Sequence, residues 1–175
     1  MGSRLVGETG RVFSIEPQTR LQPILIKNIE LNSARNIHLS QVAISDSAGR
    51  VEMSLSPDMN TGSSGLARAT KYWVSSEEVP QTTLERFIAE NSPVRIKLLK
   101  LDIEGYEYEA ILGSRKMFED GIIQHIALEL HPGILAKRGK NASDILSFLN
   151  SCGYSQNENF GSFVMTKLEG HTTCR

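Results

Sequence analysis

Acidic side chains follow directly on an apolar run near the middle of the chain. The stretch KLLKLDIEGYE, residues 97–107, places Asp102, Glu104 and Glu107 after a leucine-rich segment typical of a buried strand. A carboxylate at such a position can anchor a cation or accept a proton, so we take Asp102 as a candidate functional residue. The alternative is that these acids complement the dipole of a following helix. We favour this alternative for Glu107 and Glu109 and leave Glu104 open.

Two other apolar segments also carry acids at or near their ends. Glu16 ends the run RVFSIE, and Glu129 lies one residue before the end of the run IIQHIALEL. In open α/β sheets, ligands bind outside the carboxyl ends of the strands, so Glu16, Asp102 and Glu129 are predicted to lie along one binding edge. Glu16 could accept the two hydroxyls of a cofactor ribose, because a carboxylate has two acceptor oxygens, or it could cap the next helix.

An imidazole lies close to one of these acids. Glu129 and His131 flank Leu130, and they would point to the same side if the strand continued. Such a pair could perform acid–base chemistry, or bind a metal together with Asp102. The alternative is a hydrogen-bonded pair before Pro132. Ligand number and geometry are not visible in the sequence, so no metal site is predicted.

The elements that must position these residues follow from periodicity and from turn signals. Apolar runs predict strands, and helical spacing predicts the helices between them. The predicted strands cover residues 11–16, 37–45, 51–55, 95–101 and 122–130, the helices 19–32, 82–91, 106–118 and 144–152, and a pair of short antiparallel strands falls within 154–167. This alternation predicts an α/β fold with a mostly parallel, buried sheet.

Composition limits the class of protein. A chain of 175 residues suits a single domain over 1–175, and we expect 1–10 and 168–175 to be loose ends. The formal net charge of -1 gives no basic field, so a nucleic-acid partner is not predicted. No segment is typical of a membrane span or a signal peptide. Two cysteines without metal-site spacing, Cys152 and Cys174, favour a reducing, cytoplasmic location.

Several stretches together resemble the FkbM-type family of S-adenosylmethionine-dependent methyltransferases. They run in family order from about Gly7 to Pro132: GRVFSIEP, NIHLSQVAISDSAGRVEM, NTGSSGL, PQTTLERF, IKLLKLDIEGYEYEAILGS and IALELHP. The resemblance implies a class I methyltransferase fold, which is a Rossmann-like α/β sandwich with a C-terminal antiparallel strand pair. It also implies transfer of a methyl group from S-adenosylmethionine to a small-molecule hydroxyl acceptor, such as a sugar or a secondary metabolite.

The resemblance also implies roles for individual residues. Glu16 would hold the cofactor ribose, and Ala43 and Ile44 would lie by the adenine. Asp102 would sit beside the methionine part and the reacting methyl group. Glu104, two residues further on, is taken with it as a candidate cofactor-binding residue.

Transfer to a hydroxyl group also requires a general base within reach. Asp102, Glu129 and His131 are the candidate catalytic residues, with a slight preference for Asp102. Because methyl transfer is an in-line displacement, we expect positioning to supply much of the acceleration.

The chain departs from the family pattern at its beginning. MGSRLVGETGRVF leads straight into the segment ending on Glu16, and the family's first strand and glycine-rich turn are not found before it. We therefore expect an N-terminally truncated fold, or one in which the strands bearing Glu16 and Asp102 pair directly. Weak or absent cofactor binding is expected, and a catalytically inactive interaction module is the alternative function. A dinucleotide-dependent oxidoreductase is disfavoured, because GxGxxG does not precede Glu16.

Overall fold

The structure, a computed structural model, describes residues 1–55, 64, 76–91, 95–156 and 164–168. In these residues the strands form three sheets, with helices between them. Three strand pairs are parallel and three are antiparallel. The predicted α/β class is confirmed, although the strands do not form one continuous, mostly parallel sheet.

The first sheet has two parallel strands, β1 and β2. The elements of this part are α1 (Gly2–Val6), β1 (Val12–Ile15), a 3-10 turn (Thr19–Leu21), α2 (Gln22–Leu31) and β2 (Ile37–Ser40). Pro23 lies in the first turn of α2, where its missing N–H removes no helical hydrogen bond.

The first ten residues, which we expected to be a loose end, include α1 and contact the side chain of Asn36. The Asn36 amide donates to the carbonyls of Ser3 and Gly7 at 3.0 and 2.9 Å. The Ser3 hydroxyl in turn donates to Asn36 Oδ1 at 2.6 Å. These contacts hold α1 against the segment that leads into β2, which composition alone could not predict.

The second sheet has the order β3-β5-β4. Its elements are β3 (Ala43–Ser45), β4 (Gly49–Ser54) and β5 (Ser76–Thr83), followed by α3 (Leu84–Asn91). The predicted strand over 37–45 is therefore two strands that belong to different sheets. Thr83 caps α3, because its hydroxyl accepts from the Arg86 N–H at 3.1 Å. The stretch PDMNTGSSG, residues 57–65, has a composition typical of a loop, and of these residues only Ser64 lies within the described part of the chain.

The third sheet has the order β6-β7-β9-β8 and carries most of the candidate site. Its strands are β6 (Ile96–Leu101), β7 (Ile123–Leu128), β8 (Tyr154–Gln156) and β9 (Val164–Lys167). The helices of this part are α4 (Glu107–Leu112), α5 (Arg115–Glu119), α6 (Pro132–Lys137) and α7 (Ala142–Ser151). β8 and β9 are antiparallel, as predicted. The helix predicted over 106–118 is divided into α4 and α5, and α6 was not predicted.

Strands β1 and β6, which end just before Glu16 and Asp102, lie in different sheets. Within the described residues each of them occupies a sheet edge, and no ladder joins them. The hypothesis that these two strands pair directly is therefore wrong.

One main hydrophobic core lies under the third sheet. Its fully buried members include Ile111, Phe118, Ile123, Ile126, Leu135, Ile145 and Leu149. The Tyr154 hydroxyl donates to the Ile123 carbonyl at 2.8 Å, and burial raises the pKa of this phenol. Along the described part of the chain, no helix has the length and apolar character needed to cross a membrane.

Asn141 begins α7, where its side chain accepts a hydrogen bond from the Ser143 N–H at 3.3 Å. We expect Asn141→Ala to lower the free energy of unfolding by about 1 kcal/mol, because one N-terminal amide loses its acceptor. Urea denaturation measures this change. The matched control is Asn150→Ala, an exposed asparagine within the same helix, which should be neutral or slightly stabilising. An equal effect of the two substitutions would contradict the capping role.

Candidate functional site

The turn between β6 and α4 has an unusual backbone. Glu104 has a φ of 53° and Gly105 a φ of 96°, so two successive residues occupy the left-handed region. Glycine adopts this conformation without strain, whereas glutamate does so at a cost of about 1 kcal/mol. Strained non-glycine residues cluster at functional sites. The turn therefore holds the Glu104 carboxylate in a defined position at the carboxyl end of β6.

A buried carboxylate orients an imidazole beside this turn. Glu107 is fully buried, and its Oε1 lies 2.8 Å from His131 Nδ1 and 3.0 Å from the Gly105 N–H, which donates to it. We assign the proton of this contact to His131 Nδ1, with the Glu107 carboxylate as the acceptor. In the neutral ring, Nε2 is then the atom with the free lone pair.

Three potential ligand groups meet where β6 and β7 end. His131 Nε2 lies 3.7 Å from Glu104 Oε2, and one ligand atom from each of Asp102, Glu104 and His131 lies within 4.8 Å of the others. The side chains of Glu104 and His131 are 14% and 18% exposed, and that of Asp102 is 36% exposed. Asp102 also pairs with Lys100 at 2.9 Å. We call Asp102, Glu104 and His131 the strand-end cluster.

Arg138 fixes the other side of the same turn. Its guanidinium donates to the Gly105 carbonyl at 2.5 Å and to both Glu109 oxygens at 2.8 and 3.1 Å. Its Cζ also lies 4.0 Å from the centre of the Tyr106 ring. Such a bidentate contact is more restrictive than a single hydrogen bond, so the turn is held rigidly against α6.

Sequence reasoning missed Glu107 and Glu109 as structural parts of the site. Both were interpreted as helix-start acids, and both do lie in the first turn of α4, but they are buried and paired. One signal was available: Glu107 shares a helical face with Ala110 and Ile111, which are fully buried. A carboxylate on an apolar face requires a partner, and here that partner is His131.

The structure does not bring Glu129 into the strand-end cluster. β7 ends at Leu128 and does not continue to His131, so the predicted same-side pair of Glu129 and His131 is not formed. Glu129 is exposed and lines a cavity of about 230 Å³ with Lys100 and the end of β7. β6 and β7 are parallel, and Leu101 pairs with Leu128. Asp102 and Glu129, the residues that follow them, therefore still lie at the same carboxyl end of the third sheet.

Glu16 follows β1 and is half-buried. Its Oε1 accepts from the Gln18 N–H at 2.9 Å, and within the described part of the chain no side-chain cap hydrogen bond is formed at the start of the 3-10 turn or of α2, so this contact is not the helix cap of the alternative interpretation. The nearby Gln41 amide donates to Thr19 Oγ1 at 2.8 Å, so the turn after β1 is tied to the end of β2. Among the described residues, β1 and β6 belong to different sheets. Strand pairing therefore does not align Glu16 with Asp102 at one carboxyl end of a sheet.

Ala43 and Ile44 lie on β3 and are 3% and 7% exposed. Both side chains belong to hydrophobic clusters and are not presented to solvent. A cleft of about 410 Å³ is lined on one side by Gln41 and Val42, which precede β3, and on the other side by residues of α3. Phe87 supplies an aromatic surface there, and Gln81 and Asn91 supply amide groups.

Comparison with known proteins gives the family. The crystal structure of methyltransferase FkbM from Methylobacillus flagellatus KT is similar in fold, with a TM-score of 0.51 and 20% sequence identity. The match covers 86% of this chain and 34% of that one, so this chain spans about a third of its length. No curated protein matches the chain. The family described as the methyltransferase FkbM domain matches residues 2–155. The chain therefore belongs to the methyltransferase FkbM domain family.

Proposed function

We propose that the protein is an S-adenosylmethionine-dependent methyltransferase that acts on a hydroxyl group of a small molecule, such as a sugar or a secondary metabolite. The observation that carries the proposal is the strand-end cluster, in which two carboxylates and an oriented imidazole meet at the carboxyl ends of parallel strands. This is the position where ligands bind in α/β sheets. Membership of the family supports the same chemistry.

The chemistry of several residues supports S-adenosylmethionine as the cofactor. S-adenosylmethionine supplies an electrophilic methyl group on a sulfonium cation. The carboxylates of Asp102 and Glu104 offer negative charge to such a cation. The cleft of about 410 Å³ has the size of a small-molecule site, and it combines the aromatic ring of Phe87 with amide groups suited to a nucleobase. Glu16, in the turn tied to this cleft through Gln41, is the proposed ribose acceptor.

The chain must also orient the acceptor and receive its proton. When the acceptor oxygen bonds to the methyl carbon, its O–H bond breaks and the sulfur keeps the electron pair of the broken C–S bond. We assign the proton to the strand-end cluster. Asp102 is its most exposed member and the first that an incoming ligand meets, and Glu107 keeps His131 in a fixed orientation.

Calorimetric titration with S-adenosylmethionine tests cofactor binding directly. We expect saturation below about 1 mM, whereas NAD at the same concentration should produce no binding heat. S-adenosylhomocysteine should compete with the cofactor. Absence of binding in this range would overturn the proposal and favour the inactive interaction module.

Asp102→Asn is expected to lower turnover by about 100-fold or more while the melting temperature stays unchanged, because a charge beside the reacting atoms is removed. Formation of S-adenosylhomocysteine with a panel of hydroxyl-bearing acceptors measures the rate. The matched control is Asp120→Asn, because this aspartate follows the end of α5, is 47% exposed and pairs with Lys116 at 2.8 Å. Near-normal turnover in Asp102→Asn would remove this residue from the mechanism.

A further inference from the structure

We propose that the strand-end cluster binds a divalent first-row transition-metal ion, with Asp102, Glu104 and His131 as ligands. The site itself follows from the geometry of these residues. Only the role of the ion in methyl transfer rests on the proposed function.

The distances between the three groups suit a shared ion. Where each ligand atom lies about 2.1 Å from a metal, two ligand atoms are about 3–4 Å apart. His131 Nε2 and Glu104 Oε2 are already 3.7 Å apart, and the whole cluster lies within 4.8 Å. Asp102 is the most exposed of the three and would adjust to an ion by releasing its contact with Lys100.

The orientation of His131 points to a cation between the groups. Glu107 occupies the Nδ1 side of the ring, which turns the Nε2 lone pair towards the Glu104 carboxylate. Two acceptors that face each other repel unless a proton or a metal ion lies between them. A carboxylate that accepts from the far nitrogen is the common support for a metal-bound histidine.

The negative charge around the strand-end cluster also favours a bound divalent cation. The carboxylates of Asp102, Glu104 and Glu107 surround a single imidazole, and Glu107 Oε2 is buried with no hydrogen-bond partner among the described residues. Lys100 pairs with Asp102, and Arg138 is engaged with Glu109 and the Gly105 carbonyl. Partly buried negative charge is costly, so a divalent ion would stabilise the group.

The donor set limits the type of ion. One imidazole nitrogen with two carboxylates suits Mn²⁺, Fe²⁺ or Zn²⁺, whereas Ca²⁺ requires more ligands, all of them oxygen. Three protein ligands leave positions open for water or a substrate oxygen. An acceptor hydroxyl bound there would lose its proton more readily, and the proton would leave to solvent on the exposed side of Asp102. With the ion bound, the cluster would promote loss of the acceptor proton through the metal, and without the ion it would receive that proton directly, as proposed above.

Titration of the protein with Mn²⁺, followed by electron paramagnetic resonance, tests the site without any cofactor. We expect a single saturable class of bound ion. In imidazole NMR spectra, Mn²⁺ should broaden the His131 signals at ratios that leave His38 sharp. His38 is exposed and lies on β2, outside the cluster, so it serves as an internal control.

Three substitutions sharpen the test. Glu104→Gln removes a ligand charge and should weaken Mn²⁺ binding at least about tenfold, and Glu107→Gln, which weakens the support of His131, should do so by about 10–100-fold. Lys100→Gln should strengthen binding, because it frees the Asp102 carboxylate from a competing cation. Asp120→Asn is the control, because it removes the charge of an aspartate that pairs with a lysine outside the cluster. It should leave Mn²⁺ affinity unchanged.

The outcomes separate this proposal from the proposed function. Non-saturable Mn²⁺ binding, or saturable binding that Glu104→Gln leaves unchanged, would overturn the metal site whatever the cofactor titration gives. Turnover that is equally fast in excess chelator would overturn the role of the ion and leave methyl transfer intact. Saturable Mn²⁺ binding together with no cofactor binding would uphold the site and overturn the methyltransferase proposal.

Discussion

His131→Ala is expected to lower the free energy of unfolding by about 3–5 kcal/mol, because it leaves the buried charge of Glu107 without its ring partner. Glu107 would keep the Gly105 N–H as a donor, but one amide hydrogen bond does not offset the desolvation of a carboxylate that is 0% exposed. For a chain of this length, the loss corresponds to a fall in melting temperature of about 6–20 °C. Urea denaturation in the presence of a chelator measures this loss in the free energy of unfolding without a contribution from metal binding.

A double variant shows whether the charge is the cause. Combining His131→Ala with Glu107→Leu removes both partners, and the pair of changes should cost less than His131→Ala alone. His38→Ala is the matched control, since His38 stacks on Phe13 at 5.2 Å without contacting a buried acid. Its cost should stay below about 1 kcal/mol. If His131→Ala were no more harmful than His38→Ala, the contact between Glu107 and His131 would not be a stabilising one.

Phe118→Ala is expected to lower the free energy of unfolding by about 3–5 kcal/mol, because it opens a cavity in the core. Phe118 is fully buried, and its ring meets those of Phe148 and Tyr154 edge to face at 6.1 and 6.3 Å. The loss combines the buried area of the ring with these two aromatic contacts. Phe118→Leu retains most of the volume and should cost clearly less. Equal melting curves for the two variants would show that this part of the core is loosely packed.

Local signals explain which elements the sequence could predict. The caps at Thr83 and Asn141 and the apolar runs of β6 and β7 depend on neighbours within a few residues, so periodicity and capping rules predict them. The predicted helix 106–118 is divided at Gly113. A Cβ there would clash with the carbonyl oxygen of Glu109 and would lie 2.8 Å from the Cα of Asp46, which follows β3, so no other residue fits without a shift. The approach of Asp46, which is remote in sequence, is not visible in any pattern within 106–118.

The candidate site also contains a contact between residues distant in sequence, which local patterns could not predict. Position at a strand end selected Asp102, which belongs to the strand-end cluster, and Glu129, which does not, and proximity in sequence suggested a pair between Glu129 and His131. The actual partner of His131 is Glu107, which lies 24 residues away in the chain. That contact depends on how α4 packs beside the end of β7, and a single sequence carries only the weak hint of an acid on an apolar helical face.

The position of β6 has a consequence for handling the protein. Within the described residues its outer edge carries no neighbouring strand, and Leu98 on that strand is 57% exposed. An apolar strand edge of this kind is a template for aggregation through strand pairing between molecules. Lys97 and Lys100, both exposed on β6, place positive charge along the edge and repel a second copy in the same arrangement. Since salt screens this repulsion, concentrated protein should be kept at low ionic strength.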